Sequence, residues 1–214
     1  MELPQVDYPL SDRLAMPPHA RWSEQAANFV SILFCPPLML VAAVAFIAAH
    51  LPHPESQSLA RWYAAFILLT PMLFIVWLKR QGWVSDFDLS VRRERVLPMF
   101  IAWLGLLVGW LALRAADAPR LLLAFALLQI CQGAIFLLIT LFWKISLHTT
   151  TVSSLTALWW VMTGSVVFLW LGLPLVVLVA WARLRLRRHT AAQAIAGTLL
   201  GVLACLIVWQ FYGV

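Results

Sequence analysis

The stretch Arg183-Leu-Arg-Leu-Arg-Arg-His189-Thr-Ala-Ala-Gln193 stands between two long apolar runs, Thr149–Ala182 and Thr190–Val214. A bilayer crossing takes roughly 20 apolar helical residues, so both runs read as membrane helices and the basic stretch as the turn joining them at one membrane face. Basic residues commonly flank membrane helices on the cytoplasmic side, and that is the plain reading of this turn. A second reading uses its chemistry. Arginine offers a fixed fork of donors that fits phosphate oxygens. Histidine serves as a nucleophile or proton carrier near neutral pH. A fresh helix starts just after His189, and helix N-termini favour anions.

Working outward, the rest of the chain has the same character. Of 214 residues, 63% are hydrophobic and only 11% are charged, which excludes an ordinary soluble domain. Mean hydropathy is +0.89. Further apolar runs lie at Asn28–His50, Trp62–Leu78, Val96–Leu113 and Leu121–Trp143. Thr149–Ala182 is too long for one simple crossing. Thr163-Gly164 and Gly172-Leu173-Pro174 are turn signals within it, so the run divides near Gly164, with a proline kink at Pro174. The expected fold is an all-α polytopic membrane bundle of about seven transmembrane helices. Residues 1–27 read as an irregular or interfacial arm without the pattern of a cleaved signal peptide, and 28–214 as a single transmembrane helical domain. Trp22 is expected at the interface.

Seven crossings bring the N-terminus, the 79–95 loop, the 144–148 turn and the 183–189 turn to one face. That face carries Arg13, Arg21, Lys79, Arg80, Arg92, Arg93, Arg95, Lys144, Arg183, Arg185, Arg187 and Arg188, which is 12 of the 15 basic residues. Arg61, Arg114 and Arg120 make up the other three. The bias predicts an integral protein of a cell inner or plasma membrane with the basic face in the cytoplasm. Membrane lipids are the expected partners, with no nucleic acid. The sequence leaves the oligomeric state open. Cys35, Cys131 and Cys205 all lie in apolar runs without metal-ligand spacing and read as packing residues.

Two loops on the basic face carry further chemistry. Ser85–Pro98 holds Asp86, Asp88, Arg92, Arg93, Glu94 and Arg95. Arg92 and Arg95 are three apart and share a helical face suited to phosphate. Asp86 and Asp88 are oxygen donors of the kind Mg²⁺ accepts, and a self-paired solvated loop is the third reading. Lys144-Ile-Ser146-Leu-His148 crowds a lysine, a serine and a histidine at a membrane edge, followed by threonines suited to helix capping. Gln129 and Gln132, three apart in an apolar run, read as interhelical hydrogen-bond partners. Thr190-Ala-Ala-Gln193 fits a capping box.

Taken together, these motifs resemble those of the type 2 phosphatidic acid phosphatase (PAP2) superfamily of membrane lipid phosphatases. The family carries Lys-x6-Arg-Pro, Pro-Ser-Gly-His and Ser-Arg-x5-His-x3-Asp. Arg183, His189 and Gln193 reproduce the third spacing, and Ile145-Ser146-Leu147-His148 keeps Ser and His of the second at their separation. Arg92–Pro98 is similar to the first in content but not in spacing. The likeness covers roughly residues 85–214. Ala182, Leu147 and Gln193 stand where the family has Ser, Gly and Asp.

The resemblance implies a family-like core and hydrolysis of a lipid phosphate without a metal or other cofactor. His189 would form a phosphohistidine. His148 would protonate the leaving oxygen and then activate water. Arg183, Lys144, Ser146, and Arg92 or Arg95 would hold the phosphate. Gln193, Asp86, Asp88 or Glu94 would orient His189. Two other readings compete: a Mg²⁺-dependent prenyl-diphosphate transferase using Asp86 and Asp88, and a non-catalytic phospholipid-headgroup binder.

Overall fold

The computed structural model describes residues 18–85 and 91–212, with the backbone alone at residues 18–21, 92 and 212. Asp86 and Asp88 lie outside the described residues. The described chain forms eight helices: α1 (Pro18–Leu33), α2 (Pro36–Ala49), α3 (Pro54–Arg80), α4 (Arg92–Ala115), α5 (Arg120–Phe142), α6 (Leu147–Thr163), α7 (Val167–Arg185) and α8 (Ala191–Tyr212). No strand occurs among the described residues.

Local chemistry sets most of the boundaries. The apolar run Asn28–His50 divides at Cys35-Pro36-Pro37, the helix interruption its sequence carries, into α1 and α2, bent by 43°. Pro36 and Pro37 supply no N–H and crowd the preceding turn, and Cys35 before them is extended at ψ 151°. α1 also begins ahead of the apolar run, so the boundary expected between an arm and a membrane domain at 27/28 falls inside a helix. The long run after Thr149 divides where its sequence predicts. Gly164 closes α6 in the left-handed conformation, φ +67°, and its N–H donates to the Trp160 carbonyl at 2.8 Å. Pro174 lies within α7, Pro71 within α3 and Pro98 within α4.

Five helices, α3, α4, α5, α7 and α8, are long and apolar enough to cross a membrane, and the bent pair α1–α2 makes a sixth if it is one span. Large apolar side chains such as Trp170, Phe142 and Phe211 face outward, as a lipid-facing surface requires. α6, at 17 residues, is shorter and buried along most of its length.

α6 is the centre of the bundle. It packs on α8, α7 and α2, while α5 joins α8 to α4, α3 lies on α4 and α2, and α1 rests on α7. The α6–α8 pair runs parallel and is fastened by polar bonds. Thr149 Oγ1 donates to the Ala194 carbonyl at 3.0 Å, and Ser153 Oγ donates to the Thr198 carbonyl at 3.1 Å. Gln132 of α5 closes the group by donating to Ser154 Oγ at 2.8 Å and to the Gly201 carbonyl at 3.3 Å, as its reading as an interhelical partner predicts. Gly197 and Gly201 make this approach attainable. A Cβ on Gly197 would sit 2.5 Å from the Ser146 carbonyl oxygen, and one on Gly201 would collide with Ser153 Oγ.

Candidate functional site

The turn between α7 and α8 is built by two helix ends. Leu186 caps α7 and Arg187 follows in the left-handed region at φ +54°. The Arg188 N–H donates to the Arg183 carbonyl at 3.0 Å, and the Arg187 N–H to the Leu184 carbonyl at 2.9 Å. These are the paired bonds of a Schellman closure. A non-glycine residue in that conformation costs roughly 1–2 kcal/mol, which the surrounding bonds offset. The His189 N–H also donates to the Arg183 carbonyl, at 3.3 Å. The Arg183-to-His189 spacing is therefore the length of one closed helix end, and it returns His189 to the arginine.

The start of α8 then orients the ring. The Thr190 N–H donates to Gln193 Oε1 at 3.1 Å, and the Gln193 N–H donates to Thr190 Oγ1 at 3.3 Å, which is a reciprocal capping box. His189 Nδ1 lies 3.2 Å from the same Gln193 oxygen. That oxygen accepts from Thr190, so the atom facing the ring is an acceptor and Nδ1 carries the proton. The lone pair is left on Nε2, the ring's other nitrogen. Burial, then the charges of Arg183, Lys144 and Arg95, hold this imidazole well below its ordinary pKa, against a smaller upward pull from the Gln193 hydrogen bond. His189 is neutral at pH 7, with Nε2 unprotonated.

His189 lines a cavity of about 730 Å³ shared by helices α1 to α7. Arg95 from α4, His148 from the first turn of α6, and Arg183 from the end of α7 line the same cavity. Arg95 and Arg183 are buried. The remaining wall is largely apolar, from Met39 and Ala43 through Ile67 and Leu106 to Phe136 and Leu158. Pro36, Pro71 and Pro98 all lie in it, so the helix interruptions border this space. The arrangement is a cationic, histidine-bearing zone in a cavity of the size that takes a ligand of tens of atoms.

The residues singled out in the sequence separate into groups. Arg95, His148, Arg183 and His189 come together at the cavity, and Lys144 is close enough to act on His189. Gln193 reaches His189 directly. Ser146 does not line the cavity. It is fully buried, its hydroxyl accepts from the Thr149 N–H at 3.4 Å as the cap of α6, and its own N–H donates to the Gln193 carbonyl at 3.2 Å. A capping serine at a tight helix contact has no room to meet a ligand, so its part is to join the starts of α6 and α8. Glu94 accepts from the Ser85 N–H at 2.6 Å and from Ser85 Oγ at 2.8 Å, and Lys79 donates to the Ser85 carbonyl. It ties the loop ends together and touches no histidine through these bonds. The Arg92 side chain lies outside the described residues, as do Asp86 and Asp88.

Sequence reasoning counted Arg188 only among the basic residues of the face and gave no part to Ser31, yet both line the cavity. Arg188 adjoins His189 and could have been found from that. Ser31 is one small polar residue in an apolar run, with no local signal. Its hydroxyl accepts from Arg183 Nη1 at 2.5 Å across 152 positions of sequence.

No protein-family model, curated protein or solved structure matches this chain.

Proposed function

We propose that the chain is an integral-membrane lipid phosphatase that removes a terminal phosphate or diphosphate from a lipid through a phosphohistidine on His189. One observation carries this reading: a neutral, oriented histidine shares a largely apolar cavity with His148, Arg95 and Arg183. Cations suit the phosphate and apolar walls suit the chain that carries it.

In this mechanism the phosphate sits among Arg183, Arg95 and Lys144. The Nε2 lone pair of His189 attacks phosphorus, a P–N bond forms, and the P–O bond to the lipid breaks. His148, which takes up a proton from solvent as the anionic phosphate binds beside it, gives that proton to the departing oxygen. It then takes a proton from water as that water attacks phosphorus, the P–N bond breaks, and inorganic phosphate leaves. The guanidinium groups hold the charge that grows on the phosphoryl oxygens. Gln193 accepts from Nδ1–H throughout. Arg92 is a further phosphate ligand in this scheme, and Ser146 contributes by positioning. The resemblance to the type 2 phosphatidic acid phosphatase superfamily supports the assignment through Arg183, His189, Ser146 and His148. Under the same proposal the bundle makes seven crossings, with α6 as the short central one.

The test is phosphate release from a panel of lipid phosphates by the purified protein, with and without chelator. Chelator-resistant release is expected. Chelator-sensitive prenyl transfer would favour the transferase that uses Asp86 and Asp88. Binding without turnover would leave a headgroup binder.

We also propose that the site faces the cytoplasm. Setting aside Arg92, Arg93, Arg95, Lys144 and Arg183 as ligands, seven basic residues remain on that face against three on the other. A cysteine at exposed Ser85, with the native cysteines replaced, should resist an impermeant thiol reagent in intact cells. Labelling before the membrane is broken would reverse the orientation.

A further inference from the structure

The α1 helix is attached to the site end of α7 along one face. Arg185 Nε donates to Ser23 Oγ at 2.9 Å, and Arg185 Nη1 meets Glu24 at 3.5 Å. Ala27 is fully buried one turn further on, and Ser31 follows a turn after that. These positions recur every three to four residues, which is one side of a helix. The other side, with Trp22, Phe29, Ile32 and Leu33, is exposed and apolar. α1 reaches the cavity near its C-terminal end, where the buried Ser31 lines it together with Asn28 and Ile32.

Ser31 is only 6% exposed and accepts from Arg183 Nη1. A flexible arginine loses rotamer freedom when it is held, and an acceptor at one Nη atom restricts where the guanidinium fork can point. His148 also lies against the Ser31 backbone. The two site residues reached through Ser31 come from α7 and α6, and neither helix provides this contact itself. Ser146, the serine expected to serve the phosphate, is confined to its capping role.

We infer that Ser31 is a positioning residue of the site, holding the Arg183 guanidinium in the orientation that receives a phosphoryl group, so that α1 completes the site. The inference rests on the lipid-phosphatase reading for the ligand class but not for turnover. A positioned fork would serve a bound lipid phosphate whether or not it is hydrolysed.

The experiment measures binding of dodecyl phosphate by thermal shift, and phosphate release where it occurs, for full-length protein in detergent. The variants are Ser31→Ala, Arg183→Lys and the double variant. Ser31→Ala should bind about tenfold more weakly, the scale of one hydrogen bond to a charged group, with its ligand-free unfolding temperature lowered by no more than roughly 10 °C. In the Arg183→Lys background, Ser31→Ala should add less than about a twofold further loss, because its effect passes through the arginine. Should Ser31→Ala reduce the yield of folded protein, Ser31→Thr keeps the hydroxyl and should bind like the wild type.

Unchanged binding by Ser31→Ala, losses that multiply in the double variant, or a wild type that does not bind dodecyl phosphate would each overturn the inference. A wild type that binds but releases no phosphate, with the Ser31–Arg183 coupling intact, would support Ser31 and remove the phosphatase reading alone.

Discussion

The cavity is bounded by two regions built by opposite means. On one side the α6–α8 seam is closed by Gly197 and Gly201 against Ser146, Thr149 and Ser153, with side-chain hydroxyls bonded to carbonyls across the contact. On the other side α1 to α4 carry the Pro36–Pro37 break, Pro71 and Pro98, and line the open space with apolar side chains. The seam carries the histidines: His148 stands in the first turn of α6, and His189 is held by Gln193 at the start of α8. The broken helices leave the volume. The two imidazoles are held where the backbones touch, and the apolar space lies where proline prevents regular packing.

The largest expected effect falls on the seam's chemistry. His189→Ala should reduce phosphate release by about a thousandfold or more, the scale of losing a nucleophile that acts as part of a unit. The Thr190–Gln193 capping box does not need the ring, so the variant should remain folded. Substantial turnover by a folded His189→Ala protein would exclude the nucleophile role.

Next comes the packing contrast itself. Gly197→Ala places a methyl against a backbone carbonyl that has no side-chain slack, and should destabilise the protein by about 1–3 kcal/mol, read as a drop in unfolding temperature in detergent. Ala102→Val adds more volume on the cavity wall and should change stability by less than about 1 kcal/mol. Equal losses from the two substitutions would erase the distinction between a tight seam and a roomy wall.

The smallest effect concerns Gln193. In the wild type the depressed pKa of His189 keeps the ring neutral well below its ordinary titration range, so its acid limb in kcat/KM should lie below pH 6.5. Gln193→Asp puts a carboxylate beside Nδ1, which favours the imidazolium and raises the folded pKa. Protonation then removes the neutral nucleophile at higher pH, so the acid limb should move upward. At neutral pH the rate should stay within about threefold of wild type or rise. An unmoved limb together with a large fall in rate would mean that Gln193 serves capping alone.

Locally encoded features were legible in the chain. Gly164 ends a helix because glycine accepts positive φ, and the Thr190–Gln193 spacing makes a capping box by itself. Gln132 was readable as a bonding partner because a lone amide in an apolar helix must find one. Arg95, Arg183, His148 and His189 were singled out by type and spacing. The Asn28–His50 run was legible as an apolar stretch interrupted at Cys35-Pro36-Pro37, and the chain bends there by 43° because two consecutive prolines break the helix.

The amino-acid sequence alone determined that this is a helical membrane protein, where most of its helices stop, and which basic and imidazole groups gather at one end. Those outcomes follow from chain-local quantities: apolar length, proline and glycine sterics, and caps within a few residues. Tertiary structure alone decided that Ser31 meets Arg183 while Ser146 is closed into a helix contact. Two serines of identical chemistry were given different work by what packs on them. One lies where α1 crosses the end of α7 beside open space. The other lies where Gly197 lets α8 come within reach of the α6 backbone, and no local pattern carries that information.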